Sequence, residues 1–228
     1  MNIIKAIFTK QLNDLPKNVS VTLLYVLYPI MAFLVENLMN ANAGFFAAIF
    51  GAMFVGVTPM VAISTTVAED KEYKSLRFLV MAGVKPSQYL FGLGGFVLFM
   101  SLPAMIFFTL LGGFTWVYFV AAFLSLFASC ALGATIGIFS KNVQQSTVIY
   151  MPFMLVFTML PLFSMQNETL DMIAQFLFPY QMLMIAYSQI TTDVTIVNIS
   201  NSFIILVANC IVLLGVFIFV YRKKGLRY

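Results

Sequence analysis

Residues 86–140 read PSQYLFGLGGFVLFMSLPAMIFFTLLGGFTWVYFVAAFLSLFASCALGATIGIFS, a run of fifty-five residues without a charge. A helix crosses the hydrocarbon of a bilayer with about 20 mostly apolar residues. The run is therefore too long for one crossing and fits two. The break falls at LGGFTW, residues 111–116, where Gly112 and Gly113 offer a tight turn and Trp116 a headgroup-level anchor. Whether this run crosses once or twice fixes the side of the membrane on which every later loop falls.

The rest of the chain belongs to the same class. Of its 228 residues, 62% are hydrophobic and only 9% charged, with long apolar runs alternating with short polar ones. Six segments qualify as spans, near 19–36, 45–67, 89–112, 115–139, 147–164 and 201–221. The expected fold is an all-α integral membrane protein of six transmembrane helices forming one domain over residues 1–228. In residues 2–15, Ile4, Phe8, Leu12 and Leu15 share one helical face while Lys5, Thr9, Lys10 and Asn13 lie elsewhere, which suits an interfacial helix before the first span. Lys17 and Asn18 mark the point of entry.

Charge gives the orientation. With six spans, Lys5, Lys10 and Lys17, then Lys71, Lys74, Arg77 and Lys85, then Lys141, then Arg222, Lys223, Lys224 and Arg227 all fall on one side; these are the 12 basic residues of the chain. Glu36, Glu168, Asp171 and Asp193 fall on the other. The positive-inside rule then predicts a plasma-membrane protein with both termini in the cytoplasm, and an odd number of spans would destroy the partition. The segment between spans five and six is long and half apolar. It is expected to form short re-entrant helices in the outer leaflet, broken at Pro179. Pro29, Pro59, Pro103, Pro152 and Pro161 lie inside spans, where they read as kinks.

Several chemistries are excluded by composition. Histidine is absent, which removes histidine-based triads, HExxH zinc sites and imidazole ligation of haem. Cys130 and Cys210 sit far apart in apolar segments and read as small buried hydrophobes, with no metal ligands or disulfide framework suggested. The span interiors carry no acidic pair, which argues against an aspartyl dyad and against proton relay. There is no GxxxxGK[ST] phosphate loop and no basic stripe with interleaved aromatics, so neither ATP binding of that kind nor nucleic-acid binding is expected of this chain. The halves show no common pattern that would suggest an inverted-repeat carrier.

Against this background residues 67–88, VAEDKEYKSLRFLVMAGVKPSQ, stand out, with seven of the chain's twenty formal charges. Acidic Glu69, Asp70 and Glu72 precede basic Lys74 and Arg77, the order a helix dipole favours. Leu76, Leu79, Val80 and Gly83 form one apolar strip. The residues predict a cytoplasmic helix over 68–86, either an ordinary membrane-facing surface helix or a docking helix for a soluble partner.

AEDKEYKSLRFLVMAGVKPSQYLFG resembles the first cytoplasmic loop of ABC-2 type transporter permeases. Glu69 and Glu72 match its acidic positions, Ser75-Leu76 its hydroxyl-leucine step and Val84-Lys85-Pro86-Ser87 its turn. FTKQLNDLPKN is similar to the family's N-terminal interfacial helix, FSKNVQQSTVIYMPFMLVFTMLPLFS to its second cytoplasmic loop and fifth span, and FPYQMLM to its proline before a re-entrant outer helix. The resemblance implies two six-span subunits, each touching an ATP-binding cassette subunit through a coupling helix. ATP and Mg are then bound by the partner, with no cofactor in this chain. It places the partner contact at Glu69, Asp70, Glu72, Ser75, Leu76 and Arg77, with Lys141 and Gln144 as secondary contacts.

The function expected is the non-enzymatic permease subunit of an ATP-driven exporter. A bundle with 25 Phe and 15 Met and no buried charge points to hydrophobic or amphipathic cargo, a drug or an antimicrobial or cytolytic peptide. An ABC-2 exporter of a polysaccharide, lipid-linked polymer or ion is the alternative within the family. An ATP-independent channel or membrane scaffold is the alternative outside it.

Overall fold

A computed structural model describes residues 3–14, 18–39, 44–164, 166–190 and 196–224. Leu15, Lys17, Asp193 and Arg227, used in the sequence reading, lie outside these ranges. The described residues form helices and no strand: α1 (Ile3–Asp14), α2 (Val19–Met39), α3 (Phe45–Glu72), α4 (Ser75–Met81), α5 (Pro86–Gly112), α6 (Trp116–Phe139), α7 (Val143–Ser164), α8 (Glu168–Ala174), α9 (Phe178–Ile190) and α10 (Ile196–Lys224). Six of them, α2, α3, α5, α6, α7 and α10, are long and apolar enough to cross a membrane. The chain is a multi-pass, all-helical membrane protein.

The uncharged run does divide at LGGFTW. Helix α5 ends at Gly112, and Gly113 takes the left-handed conformation (φ 62°) that closes helices at little cost to glycine. Its N–H donates to the Leu110 carbonyl, and the Phe114 N–H donates to Thr109. Helix α6 then starts at Trp116, which is exposed and stacks on Phe119.

Helix α3 forms the centre. It is buried almost from end to end and packs on α2, α5, α6, α7 and α9, whereas α2, α7 and α10 each leave a broad apolar face outward. Its tightest partner is α6. A Cβ added at Gly133 would stand 2.5 Å from the Met60 carbonyl oxygen, and one at Gly137 would stand 2.7 Å from Val67 Cβ. The Ser129 hydroxyl donates to the Gly56 carbonyl at 3.0 Å. In lipid, burying oil against oil gives no advantage by itself, so close backbone approach and interhelical hydrogen bonds must hold the pair.

Three expectations are corrected. The helix expected over 68–86 is shorter: residues 68–72 continue α3, and the separate element is α4 alone. Between them Lys74 adopts φ 58°, and that left-handed residue turns the chain. The charges consequently do not follow one helix dipole, because the acidic ones end α3 while α4 has no acidic residue in its first turn. Pro179 does not break the outer segment either. It lies in the first turn of α9, where a missing N–H leaves no bond unmade, and the chain breaks earlier, between Ala174 and Phe178.

The face of α1 also differs from the expected stripe. Ile7 and Gln11 are buried and Phe8 is half-buried, while Leu12 is exposed. The cause is α5: Phe8 meets the rings of Phe96 and Phe99 at 5.5 Å each, and Ile7 fills the space above Gly92. Packing against protein has selected a face rotated from the expected one, with Phe8 common to both.

Gly133→Ala is expected to destabilise the bundle by about 1–3 kcal/mol, since a backbone carbonyl cannot yield as a side chain would. Gly215→Ala, which meets nothing within 4 Å, should be neutral or gain up to about 1 kcal/mol from helix propensity. Thermal unfolding of the purified protein in detergent micelles compares the two.

Candidate functional site

Four successive charged residues, Glu69, Asp70, Lys71 and Glu72, form the last turn of α3. Successive residues on a helix are about 100° apart, so four of them face nearly all round the axis. Each reaches a different part of the molecule. Glu69 accepts from Asn18 Nδ2, just before α2, at 3.4 Å. Asp70 forms an ion pair with Lys10 of α1 at 2.6 Å and accepts from the Tyr89 hydroxyl of α5 at 2.6 Å.

Lys71 turns to the end of α6. Its Nζ donates to the carbonyls of Gly137 (3.1 Å), Ile138 (2.6 Å) and Ser140 (3.0 Å). Those carbonyls have no partner within the helix, and the negative end of the α6 dipole favours the ammonium. Glu72 does the opposite for α7: its Oε2 accepts from the Val143 N–H at 3.0 Å, placing a carboxylate at a helix N-terminus. A single helical turn thus joins α1, α2, α5, α6 and α7, each through a bond whose sign suits its partner.

Beyond this turn Tyr73 and Lys74 bend the chain into α4. Leu76, only 1% exposed, roots α4 in the core, and Leu79 packs beside it. The outward face carries Arg77, Phe78 and Met81. Phe78 is 65% and Tyr73 71% exposed, beside two exposed cations, Lys74 and Arg77.

The residues expected to meet a partner are therefore split. Glu72 and Arg77 are exposed, and Glu69 and Ser75 are half-buried, whereas Asp70 (5% exposed) and Leu76 point inward. Lys141, in the link before α7, and Gln144, in the first turn of α7, are exposed at the same end; the Lys141 N–H donates to Gln145 Oε1, and both residues adjoin the Glu72–Val143 bond. The sequence reading names Lys10 and Lys71 for their charge without assigning them partners and does not single out Tyr89, so it does not foresee the bonds these three make. Their partners lie 60, 66 to 69 and 19 residues away, and no local pattern announces such pairs.

The opposite end has its own ties. The Thr115 N–H and hydroxyl both donate to Gln189 Oε1 of α9, at 2.6 and 2.9 Å, capping the start of α6. Gly44, at φ 94°, begins α3 and lies against Gly112 so closely that a Cβ would meet the Gly112 carbonyl at 2.8 Å. Glu36 accepts from the Gly44 N–H. Among the described residues no group of three metal-ligating side chains stands close enough to hold an ion, and Cys130 and Cys210 are buried and free.

Compared with protein families, residues 1–219 fit the family model described as ABC-2 family transporter protein. No curated protein matches the chain. The match takes in α1, all the interlocking residues at the charged end and five of the six candidate spans in full. Members of this family are membrane transport components that pair with ATP-binding cassette subunits. The chain belongs to the ABC-2 transporter family and is a transporter permease.

Proposed function

We propose that this permease is the membrane-spanning subunit of an ATP-driven exporter of hydrophobic or amphipathic cargo, such as a drug or an antimicrobial or cytolytic peptide. In this reading the charged end is cytoplasmic, as the positive-inside rule suggests. The ATP-binding subunit presses on α4 and the residues beside it.

The observation that carries the proposal is the wiring of Glu69 to Glu72. A partner seated on α4 would pull on Leu76 and on the bend at Lys74. That displacement would reach α1, α2, α5, α6 and α7 together through one rigid turn. The contact surface we assign is Glu72, Tyr73, Lys74, Arg77, Phe78 and Met81, with Lys141 and Gln144 adjoining. Asp70 and Leu76 act behind it as anchors. An aromatic anchor flanked by arginine is the composition expected of an interface hot spot.

What fills the bundle supports this cargo class. Phe54, Met60, Met105, Phe108 and Leu126 are fully buried and fill the interior between the described helices. A pathway would then follow an outer face and close against a second permease chain, identical or related. The outer faces of α2 and α7 offer Leu, Ile, Phe, Val and Met with no charge between Val19 and Val35 or between Val143 and Ser164. Such walls suit an amphiphile and offer nothing to a strongly ionic solute.

With its ATP-binding subunit in lipid vesicles, the permease should show ATPase activity stimulated by hydrophobic peptides or amphiphilic drugs. Stimulation only by a sugar polymer or an ion would reassign the cargo. Phe78→Ala with Arg77→Ala should reduce co-purification of the ATP-binding subunit about tenfold or more. If native purification yields no ATP-binding protein and the variants change nothing, the chain works as a channel or scaffold instead.

Lys71→Met should behave differently. It leaves the outward face intact, so the partner should still bind, but cargo-stimulated ATPase activity should fall. Hydrogen exchange at residues 137–141 should rise as the three carbonyls lose their donor.

A further inference from the structure

Helix α10 carries no charge from Ile199 to Tyr221 and then meets Arg222, Lys223 and Lys224, with Arg227 three residues on. Its apolar span, Ile199–Lys223, has 25 residues and is roughly 37 Å long. The hydrocarbon of a bilayer is about 30 Å thick, so the last turn of α10 stands at headgroup level.

This end of α10 is turned toward lipid. The Lys223 ammonium lies over the ring of Phe219, 5.8 Å from its centroid. Phe219 comes four residues earlier, on the same face of the helix, and is 65% exposed. Ile218 and Val216 are exposed as well. Lys223 is thus held on the outward side of the bundle, by attraction to a ring that itself lies among lipid tails.

The sequence closes the charge count around this turn. Helix α10 packs against α6 and α9, and neither contains an acidic residue. No Asp or Glu follows Asp193, so residues 225–228 bring a further cation and no acidic side chain. The acidic residues of the charged end, Asp14, Glu69, Asp70 and Glu72, belong to α1 and α3. Among the described residues neither Arg222 nor Lys223 enters an ion pair.

The counter-charge must then come from outside the chain. Cations beside a lipid-exposed ring at the end of a span meet headgroups before they meet a soluble surface. We propose that the last turn of α10 binds anionic phospholipid in the leaflet at the charged end. Arg222 and Lys223 pair with the headgroup, and Ile218 and Phe219 lie along its first methylenes. Basic clusters directly after a span attract anionic lipid, each charge strengthening binding roughly fivefold. The arginine adds a planar fork that matches phosphate. Such a site needs only a bilayer and does not rest on the export reading.

The test uses the full chain, purified with whatever chains accompany it, in micelles holding equal amounts of phosphatidylglycerol and phosphatidylcholine. Mass spectrometry counts each lipid retained after washing at about 0.05 M and about 0.5 M salt. Phosphatidylglycerol should be retained about tenfold better than phosphatidylcholine at the lower salt, and the preference should shrink severalfold at the higher. Lys223→Gln with Lys224→Gln should reduce the preference about tenfold, while Arg222→Lys with Lys223→Arg, which keeps the charge, should preserve most of it. Lys5→Gln with Lys85→Gln removes the same charge from the same end and should change it less than about twofold. Thermal unfolding confirms that the variants fold.

Equal loss from the two glutamine pairs reveals a diffuse field in place of a site and overturns the proposal. A preference unmoved by salt, or by Lys223→Gln with Lys224→Gln in folded protein, overturns it too. Inorganic phosphate at about 10 mM carries the charge without the chains and should displace little of the lipid; full displacement assigns the cluster to a soluble anion instead. If the glutamine pair at Lys223 and Lys224 releases a co-purifying protein and leaves the lipid preference unchanged, the cluster is a protein contact and the proposal fails.

Discussion

The ion pair between Asp70 and Lys10 sets the terms for the charged end of this protein. Asp70 lies within the packed end of α3, where a carboxylate without a partner would cost several kcal/mol. Lys10 and the Tyr89 hydroxyl supply that partner, and in doing so they hold α1 and α5 against α3. Once Asp70 faces inward, the helical rotation of 100° per residue leaves Glu69, Lys71 and Glu72 no choice of direction. They fall toward α2, toward the end of α6 and toward the start of α7. One buried charge therefore fixes the rotational setting of the helix around which everything else packs.

The α3–α6 pair has a different physical basis. Its closeness depends on absent side chains: Gly133 and Gly137 let backbones approach until the Ser129 hydroxyl can bond directly to a carbonyl of the other helix. Water-soluble bundles gain by burying large apolar groups, whereas in lipid the exposed state of Leu or Phe is already comfortable. The distribution of residue sizes agrees. Glycine, alanine and serine crowd the α3–α6 interface, and many large apolar side chains of α2, α7 and α10 face outward.

How far the sequence reveals this depends on the range of the forces involved. The break at LGGFTW is legible because its cause is local: two glycines, then a residue that belongs at the interface. Six spans follow from run length alone. The segment 68–86 misleads for the same reason that LGGFTW does not. Its charges fit a single helix locally, but Asp70 is claimed by Lys10 and Tyr89, α3 is prolonged to reach them, and Lys74 absorbs the turn. The apolar stripe of α1 is similarly overruled by the rings of Phe96 and Phe99. One signal was available and went unread. GATIG, residues 133–137, carries the glycine spacing of a close helix pair, and it marks the seam with α3.

Helix α6 is gripped at both ends by side chains from elsewhere, by Gln189 of α9 at its start and by Lys71 of α3 at its finish. Its 24 residues give it a length of roughly 36 Å, close to a full bilayer thickness. Held so, it cannot slide along its own axis or rotate about it without breaking bonds on opposite faces of the membrane at once. The lowest-cost motion keeps α3 and α6 together as a single strut. A shape change in this protein is then a tilt of that strut against lipid-facing helices, and a displacement of one membrane surface is felt at the other with no intermediate step.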